Sequence, residues 1–336
     1  MNKKTNRKAT HLNRWRICAA LVGFFAGLSL LLTACSSPLE FRRGDCLPYA
    51  SAPIALSTPR MMVRAWAPQG DRMAIYVSDY ANDRVAAVSV DGDTLIRHFG
   101  EGCSGACSLN GPTGVAVGPF VEFFGRPVTD PPATFRLYVS DSKNDRVVEF
   151  DENGEVRRTW GGSGQGNGQF NRPYGIAVDL AGRVFVADSG NNRVQVFDTT
   201  GQYLMAWGSE GSDSGQFRGP HDIVIGVNGD LSTSFVAVSD NGNGRVQLFT
   251  PDGALLKIIG GLGDVRGMCT LSDTSTLQIE AVAQYQKVLY YLDAERGVIR
   301  RKLDLKGSFH PVDVLPTSLI ADQNPGSVCS YGYFEK

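Results

Sequence analysis

Histidine is scarce in this chain: 4 residues in 336, at positions 11, 98, 221 and 310. So few imidazoles leave little room for a histidine-built metal centre. Excess charge of one sign is lacking too, with 33 basic against 34 acidic residues and a formal net charge of −1. A nucleic-acid binder normally leaves a basic footprint, and there is none. No apolar run reaches membrane-spanning length. The longest, Ile17 to Leu32, has sixteen residues, short of the ~20 a spanning helix needs. Acidic residues are absent from the first 34 positions, which hold Lys3, Lys4, Arg7, Lys8, Arg14 and Arg16. The remainder therefore has 27 basic residues against 34 acidic ones, a charge of about −7. This argues against nucleic acid or an anionic membrane surface as its main partner. What is present is a balanced composition, 42% hydrophobic and 20% charged with 39 Gly. That excludes a disordered tail or a coiled coil.

The basic stretch followed by a sixteen-residue apolar run has the form of an export signal. The run ends in LLTAC, residues 31–35, which resembles the lipobox of bacterial lipoproteins. The resemblance implies cleavage before Cys35 and lipidation of its thiol. It divides the chain into a signal peptide (1–34), a lipidated tether (35–48) and a folded region (49–336). The alternative is an ordinary signal or anchor with Cys35 incidental. Ser36 after the cysteine favours the outer membrane if the envelope is Gram-negative. Export implies an oxidising compartment. Beyond Cys18 and Cys35 there remain Cys46, Cys103, Cys107, Cys269 and Cys329. Cys103 and Cys107, in CSGAC, are expected to close a small disulfide loop. A zinc site there would need two further ligands, and no His or Cys lies nearby. Five is odd, so at least one cysteine stays free or pairs with another chain.

Internal repeats organise the rest. DYANDR (79–84), DSKNDR (141–146), DSGNNR (188–193) and DNGNGR (240–245) share the pattern D-x-x-N-x-R. Each lies between two β-rich runs, and a further strand-like piece ends in Gly: IRHFG, RRTWG, LMAWG and LKIIG. Upstream, PTGVAV (112–117), PYGIAV (173–178) and PHDIVI (220–225) open strands, with weaker copies at 59, 265 and 311. Six units of about four strands each describe an all-β, six-bladed β-propeller. The last unit is short, and residues 49–56 are expected to supply its outermost strand, closing the ring. Cys46 and Cys329 would then lie close enough to pair.

At this point the chain resembles the NHL-repeat family. GQFNRPYGIAVDLAGRVFVADSGNNRVQVFDTTGQYLMAWG (168–208) reads like one family repeat. The resemblance extends over roughly 59–260 and implies a six-bladed propeller. RNA binding, known in animal members, conflicts with export and an acidic folded region.

The recurrence of D-x-x-N-x-R in four units marks it as turn chemistry, because Asp and Asn bond nearby backbone in tight turns. The informative positions vary within the constant frame. The residue after each strand-opening position is Arg60, Thr113, Tyr174, His221, Arg266 or Val312, and Asp222 and Asp313 follow two of them. These residues are expected at the channel mouth, where propeller ligands usually sit. The alternative is that they bond one another and plug the channel with water. Amidating lyases of NHL type hold zinc through three His at this frame position. Only His221, in GPHD, matches, so that activity is not expected. No cofactor is called for; Zn or Ca enters only with the metal-dependent enzyme alternative. The sequence therefore points to a monomeric, lipid-anchored envelope propeller that binds a ligand or protein partner at its mouth. The alternative is a lyase or hydrolase using the same mouth, with catalytic residues unassigned.

Overall fold

The computed structural model describes residues 56–66, 73–89, 94–101, 104–118, 135–179, 181–227, 234–272, 277–283, 288–294, 296–304 and 329–330. They form five antiparallel sheets. The first contains β1 (Pro59–Trp66), β2 (Met73–Asp79), β3 (Arg84–Ser89) and β4 (Leu95–Phe99). The second contains β5 (Pro112–Gly118), β6 (Arg136–Asp141), β7 (Arg146–Phe150) and β8 (Val156–Gly161). The third contains β9 (Pro173–Val178), β10 (Val184–Asp188), β11 (Arg193–Phe197) and β12 (Tyr203–Trp207). The fourth contains β13 (Pro220–Val227), β14 (Ser234–Asp240), β15 (Arg245–Phe249) and β16 (Leu255–Ile259). β17 (Val265–Ser272), β18 (Leu277–Ala283), β19 (Val288–Asp293) and β20 (Val298–Asp304) form the fifth, joined by β21 (Cys329–Ser330) on the free side of β17. Strand order follows chain order in each four-stranded meander.

The sheets stack face to face as propeller blades, the second to fourth each covered on both faces by neighbouring sheets. Their middle strands are therefore buried residue after residue, as in β7, where only Arg146 is partly exposed. The outer strand β8 instead alternates half-buried and exposed positions, the pleat of an edge. The core lies between blades. Tyr76 and Phe99 of the first blade meet Leu137 and Phe150 of the second. Tyr138 and Val147 pack with Phe185's neighbours Val184 and Val186 of the third. The same layering continues between the third and fourth blades and between the fourth and fifth.

A 3-10 turn joins the second and third strands of the first four blades: Tyr80–Asn82, Ser142–Asn144, Ser189–Asn191 and Asn241–Asn243. The aspartate before each turn is fully buried. In the third blade Asp188 Oδ2 accepts from Asn191 Nδ2 (2.9 Å), Arg193 Nε (2.8 Å) and Gln195 Nε2 (3.0 Å). Its Oδ1 accepts from the Asn171 amide at 2.9 Å. Asp79, Asp141 and Asp240 hold their own Asn and Arg in the same way. The residue after each turn is left-handed, with φ of 52° at Asp83, 51° at Asp145, 54° at Asn192 and 62° at Gly244. Asp and Asn tolerate this region better than most side chains. They also reach forward. Asp83 Oδ1 accepts from the Gly111 amide (2.7 Å), Asp145 Oδ1 from Arg172 (2.6 Å) and Asn192 Oδ1 from Gly219 (2.7 Å). Each turn thus grips the loop that opens the next blade. Gly244 has no side chain, and its carbonyl accepts from Leu262 N instead, at 3.0 Å.

The described residues differ from the expected six blades. They form four four-stranded blades and a five-stranded fifth sheet. The expected sixth unit lies outside them apart from β21, as do residues 49–55 of the expected closing strand. Leu56 is described and is not in a strand. Cys35, Cys46, Cys103 and Asp313 also lie outside the described residues.

Candidate functional site

The first strands of successive blades lean on one another, β1 on β5, β5 on β9, β9 on β13 and β13 on β17. This contact is close enough to demand glycine. A Cβ on Gly114 would lie 2.2 Å from the Tyr174 carbonyl oxygen, and one on Gly175 would lie 2.9 Å from that of His221. The Pro-x-Gly signature therefore marks where neighbouring inner strands touch.

The expected mouth residues separate into two groups. Thr113 and Asp222 are fully buried and face the neighbouring inner strands. The Thr113 hydroxyl lies 3.1 Å from the Pro173 carbonyl and 3.2 Å from that of Tyr174. Asp222 occupies the frame position that is glycine in the second and third blades. Its Oδ2 accepts from the Met268 amide of β17 at 2.7 Å, and its Oδ1 accepts from the Ile223 amide at 2.8 Å. Both residues clasp blades together. The sequence carried a signal for this interior stitching. Two of the three VSD serines make it: Ser78 Oγ donates to the Thr113 carbonyl at 2.6 Å. Ser239 Oγ accepts from the Asp222 amide at 2.7 Å.

Arg60, Tyr174, His221 and Arg266 form the second group. The Tyr174 and His221 rings lie 3.8 Å apart between centroids, tilted by 38°. His221 Nδ1 is 3.0 Å from the Arg266 carbonyl. A carbonyl can only accept, so Nδ1 carries the proton and Nε2 keeps its lone pair. Burial pushes the imidazole pKa down to about 3, and the Arg266 and Arg60 guanidinium charges push the same way. The hydrogen bond to the Arg266 carbonyl opposes them. His221 is therefore neutral at ordinary pH. The joint action of Arg60 and Arg266 on His221 places side chains from the first, fourth and fifth blades in one electrostatic neighbourhood.

Each arginine has its own support. The Arg60 guanidinium lies 4.4 Å from the centre of the Tyr80 ring, and Lys143 Nζ lies 4.4 Å from the same centre. Tyr80 is a variable position of D-x-x-N-x-R, and sequence reasoning passed over it. Arg266 Nε pairs with Asp264 at 3.0 Å. His98 lies on the outer strand β4 beside Glu101 and Arg84, remote in its blade from the inner strand. Among the described residues no group of three or more His, Cys, Asp or Glu is placed to hold a metal ion. Together the four mouth residues offer a neutral nitrogen acceptor, a phenol and two guanidinium groups. That set suits a ligand with acidic groups and a hydrogen-bond donor.

Four-stranded antiparallel blades with inner strands leaning on one another define a β-propeller. Residues 170–197 match the NHL repeat, within the third of these blades. Among solved structures it is similar to Kuenenia stuttgartiensis hydrazine synthase, at 16% identity and a TM-score of 0.50, over 77% of this chain and 69% of that one. A streptogramin B lyase aligns at 13% identity and a TM-score of 0.51, over 76% of this chain and 71% of that one. A nidogen/laminin complex aligns at 13% identity and a TM-score of 0.50, over 73% of this chain and 93% of that one. At these identities the likeness is one of fold. No curated protein matches the chain.

Proposed function

We propose that this protein is a six-bladed propeller, lipid-anchored through Cys35 at the cell envelope, that binds acidic groups of a ligand or partner protein at the Arg60–Tyr174–His221–Arg266 mouth. The observation that carries the reading is the neutral His221 held between Tyr174 and two arginines. Four blades contribute chemistry that no turn or core position repeats. The basic leader, the short apolar run and LLTAC support the anchor. The unit starting at 311 and the strand expected at 49–56 supply the sixth blade and its closure. Cys103 and Cys107 pair within their small loop.

The test uses a panel of dicarboxylates and phosphate monoesters titrated into the purified chain. At least one should bind saturably, and Arg266→Gln should weaken it at least about tenfold, the value of one lost charge-assisted contact. Tm should move little. Unchanged binding in the variant, or no binding across the panel, overturns the mouth assignment. For the anchor, Cys35→Ser should leave the precursor unprocessed or release it from membranes. The enzymatic alternative rests on the same unprotonated Nε2. Retention of Zn²⁺ or Ca²⁺ that depends on His221 would favour it over binding alone.

A further inference from the structure

The five-stranded sheet brings two cysteines together that are 60 positions apart in the chain. β21 pairs antiparallel with β17, and the register sets Cys329 directly opposite Cys269 and Ser330 opposite Met268. Directly opposed residues of an antiparallel pair have Cα atoms roughly 4.5 or 5.5 Å apart, depending on whether they exchange hydrogen bonds. Both spacings fall within the span of roughly 4.4–6.8 Å that a disulfide bridges. The opposition joins functionally placed backbone. Cys269 follows Met268, whose amide is held by Asp222, and lies three residues beyond Arg266, whose carbonyl takes the His221 proton donor. β21 also contacts β1, the inner strand of the first blade.

We propose that Cys269 and Cys329 form a disulfide that staples the C-terminal strand to the inner strand of the fifth blade. This partner for Cys329 replaces Cys46, which was expected from pairing the two chain ends. The proposal rests on the export reading only for its oxidant. Two thiols lose two protons and two electrons as the S–S bond forms. The electrons reduce the disulfide of a thiol–disulfide exchange partner, such as an oxidoreductase of the envelope or oxidised glutathione in vitro. The bond closes a long loop and so restricts the unfolded chain. It also fixes β17, the strand on which the mouth's Arg266 and the acceptor for His221 are carried.

The test takes the full chain in detergent. Free thiols are blocked with iodoacetamide, the protein is digested without reduction, and linked peptides are read by mass spectrometry. The chain isolated from its cells should yield a Cys269–Cys329 peptide. So should purified, reduced chain refolded with oxidised glutathione. Thiols found in cells but linkage in glutathione would uphold the pairing and overturn the export reading. Linkage of Cys329 to Cys46, or both Cys269 and Cys329 alkylated after glutathione treatment, would overturn the pairing. As a second measurement, Cys329→Ser should lower Tm by roughly 5–10 °C. Dithiothreitol should produce much of that fall in wild type and little further change in the variant. An equal effect of dithiothreitol on both proteins would overturn the staple as the cause.

Discussion

The turn face and the channel mouth stand in the same repeating frame and treat it in opposite ways. At the turns, four aspartates hold an Asn and an Arg with nearly the same distances, and three of the following residues grip the next blade through an oxygen. At the mouth, the equivalent frame position is Arg, Thr, Tyr, His and Arg in the five described blades. Repetition follows from a need that every blade shares, namely satisfying buried backbone groups where strands reverse. Variation is allowed where a position does not serve a need that every blade shares. The frame position itself is mixed: Thr113 and Asp222 are wholly buried against neighbouring blades, His221 is buried beside Tyr174, and Tyr174 and Arg266 are half-buried.

The largest expected effect breaks a turn. Asp188→Ala removes the acceptor for Asn191, Arg193, Gln195 and the Asn171 amide together, leaving a mostly buried guanidinium without its carboxylate. Loss of one partner of a buried pair costs about 3–5 kcal/mol. Denaturant unfolding should show that loss, and ligand binding by whatever remains folded should be unchanged. A loss below about 1 kcal/mol would mean that the turn network adds little.

A smaller effect sharpens the mouth side of the comparison. The unfolded His221 titrates near the ordinary imidazole value of 6.5, and burial lowers the folded one to about 3. Between those values the unfolded chain binds the extra proton, so stability rises with pH across that window and is lost on acidification toward 3. His221→Gln removes this contribution. The drop in unfolding free energy from pH 7 to pH 4 should be shallower in the variant than in wild type. Parallel profiles would show that His221 is not held neutral by the fold.

The smallest effect tests interchange between turns. Gly244→Asn places at the fourth turn the residue that follows the third. A Cβ there meets only ordinary contacts, the nearest being the Gly263 carbonyl at 3.4 Å. Asn tolerates φ of 62°, so the change should stay within about 0.5 kcal/mol. A loss above about 2 kcal/mol would show that the fourth turn differs from the other three.

Much of this architecture was legible in the sequence because periodicity reports shared backbone needs. D-x-x-N-x-R located four turns, and the strand-opening positions 59, 112, 173, 220 and 265 coincide with the starts of β1, β5, β9, β13 and β17. The two-way split of the mouth was not legible. Whether the Thr113 hydroxyl faces a channel or the Pro173 carbonyl depends on how closely two blades approach, and spacing along one strand does not encode it. Asp222 shows the same limit. Its carboxylate serves Met268, 46 residues away, through a contact made only after the fourth and fifth blades dock. The neighbour of Cys329 was illegible for a related reason. Pairing the chain ends suggested Cys46 for Cys329, whereas strand register sets Cys269 opposite it.

The forward grip of Asp83, Asp145 and Asn192 also decides which piece of the chain is interchangeable. Asp145 receives the amide of Arg172, just before β9, and Asn192 receives that of Gly219, just before β13. Residues 173–219 therefore contain one acceptor at their own turn and end on the donor that it satisfies. A tandem in-frame copy of that stretch would find its first clasp already formed and carry its second with it. Growth of the ring by duplication preserves every clasp, with no compensating substitution at the junctions. The peptide bonds before Pro173 and Pro220 thus bound a module that carries its own forward clasp, while its Asp188 takes the Asn171 amide from the stretch before it.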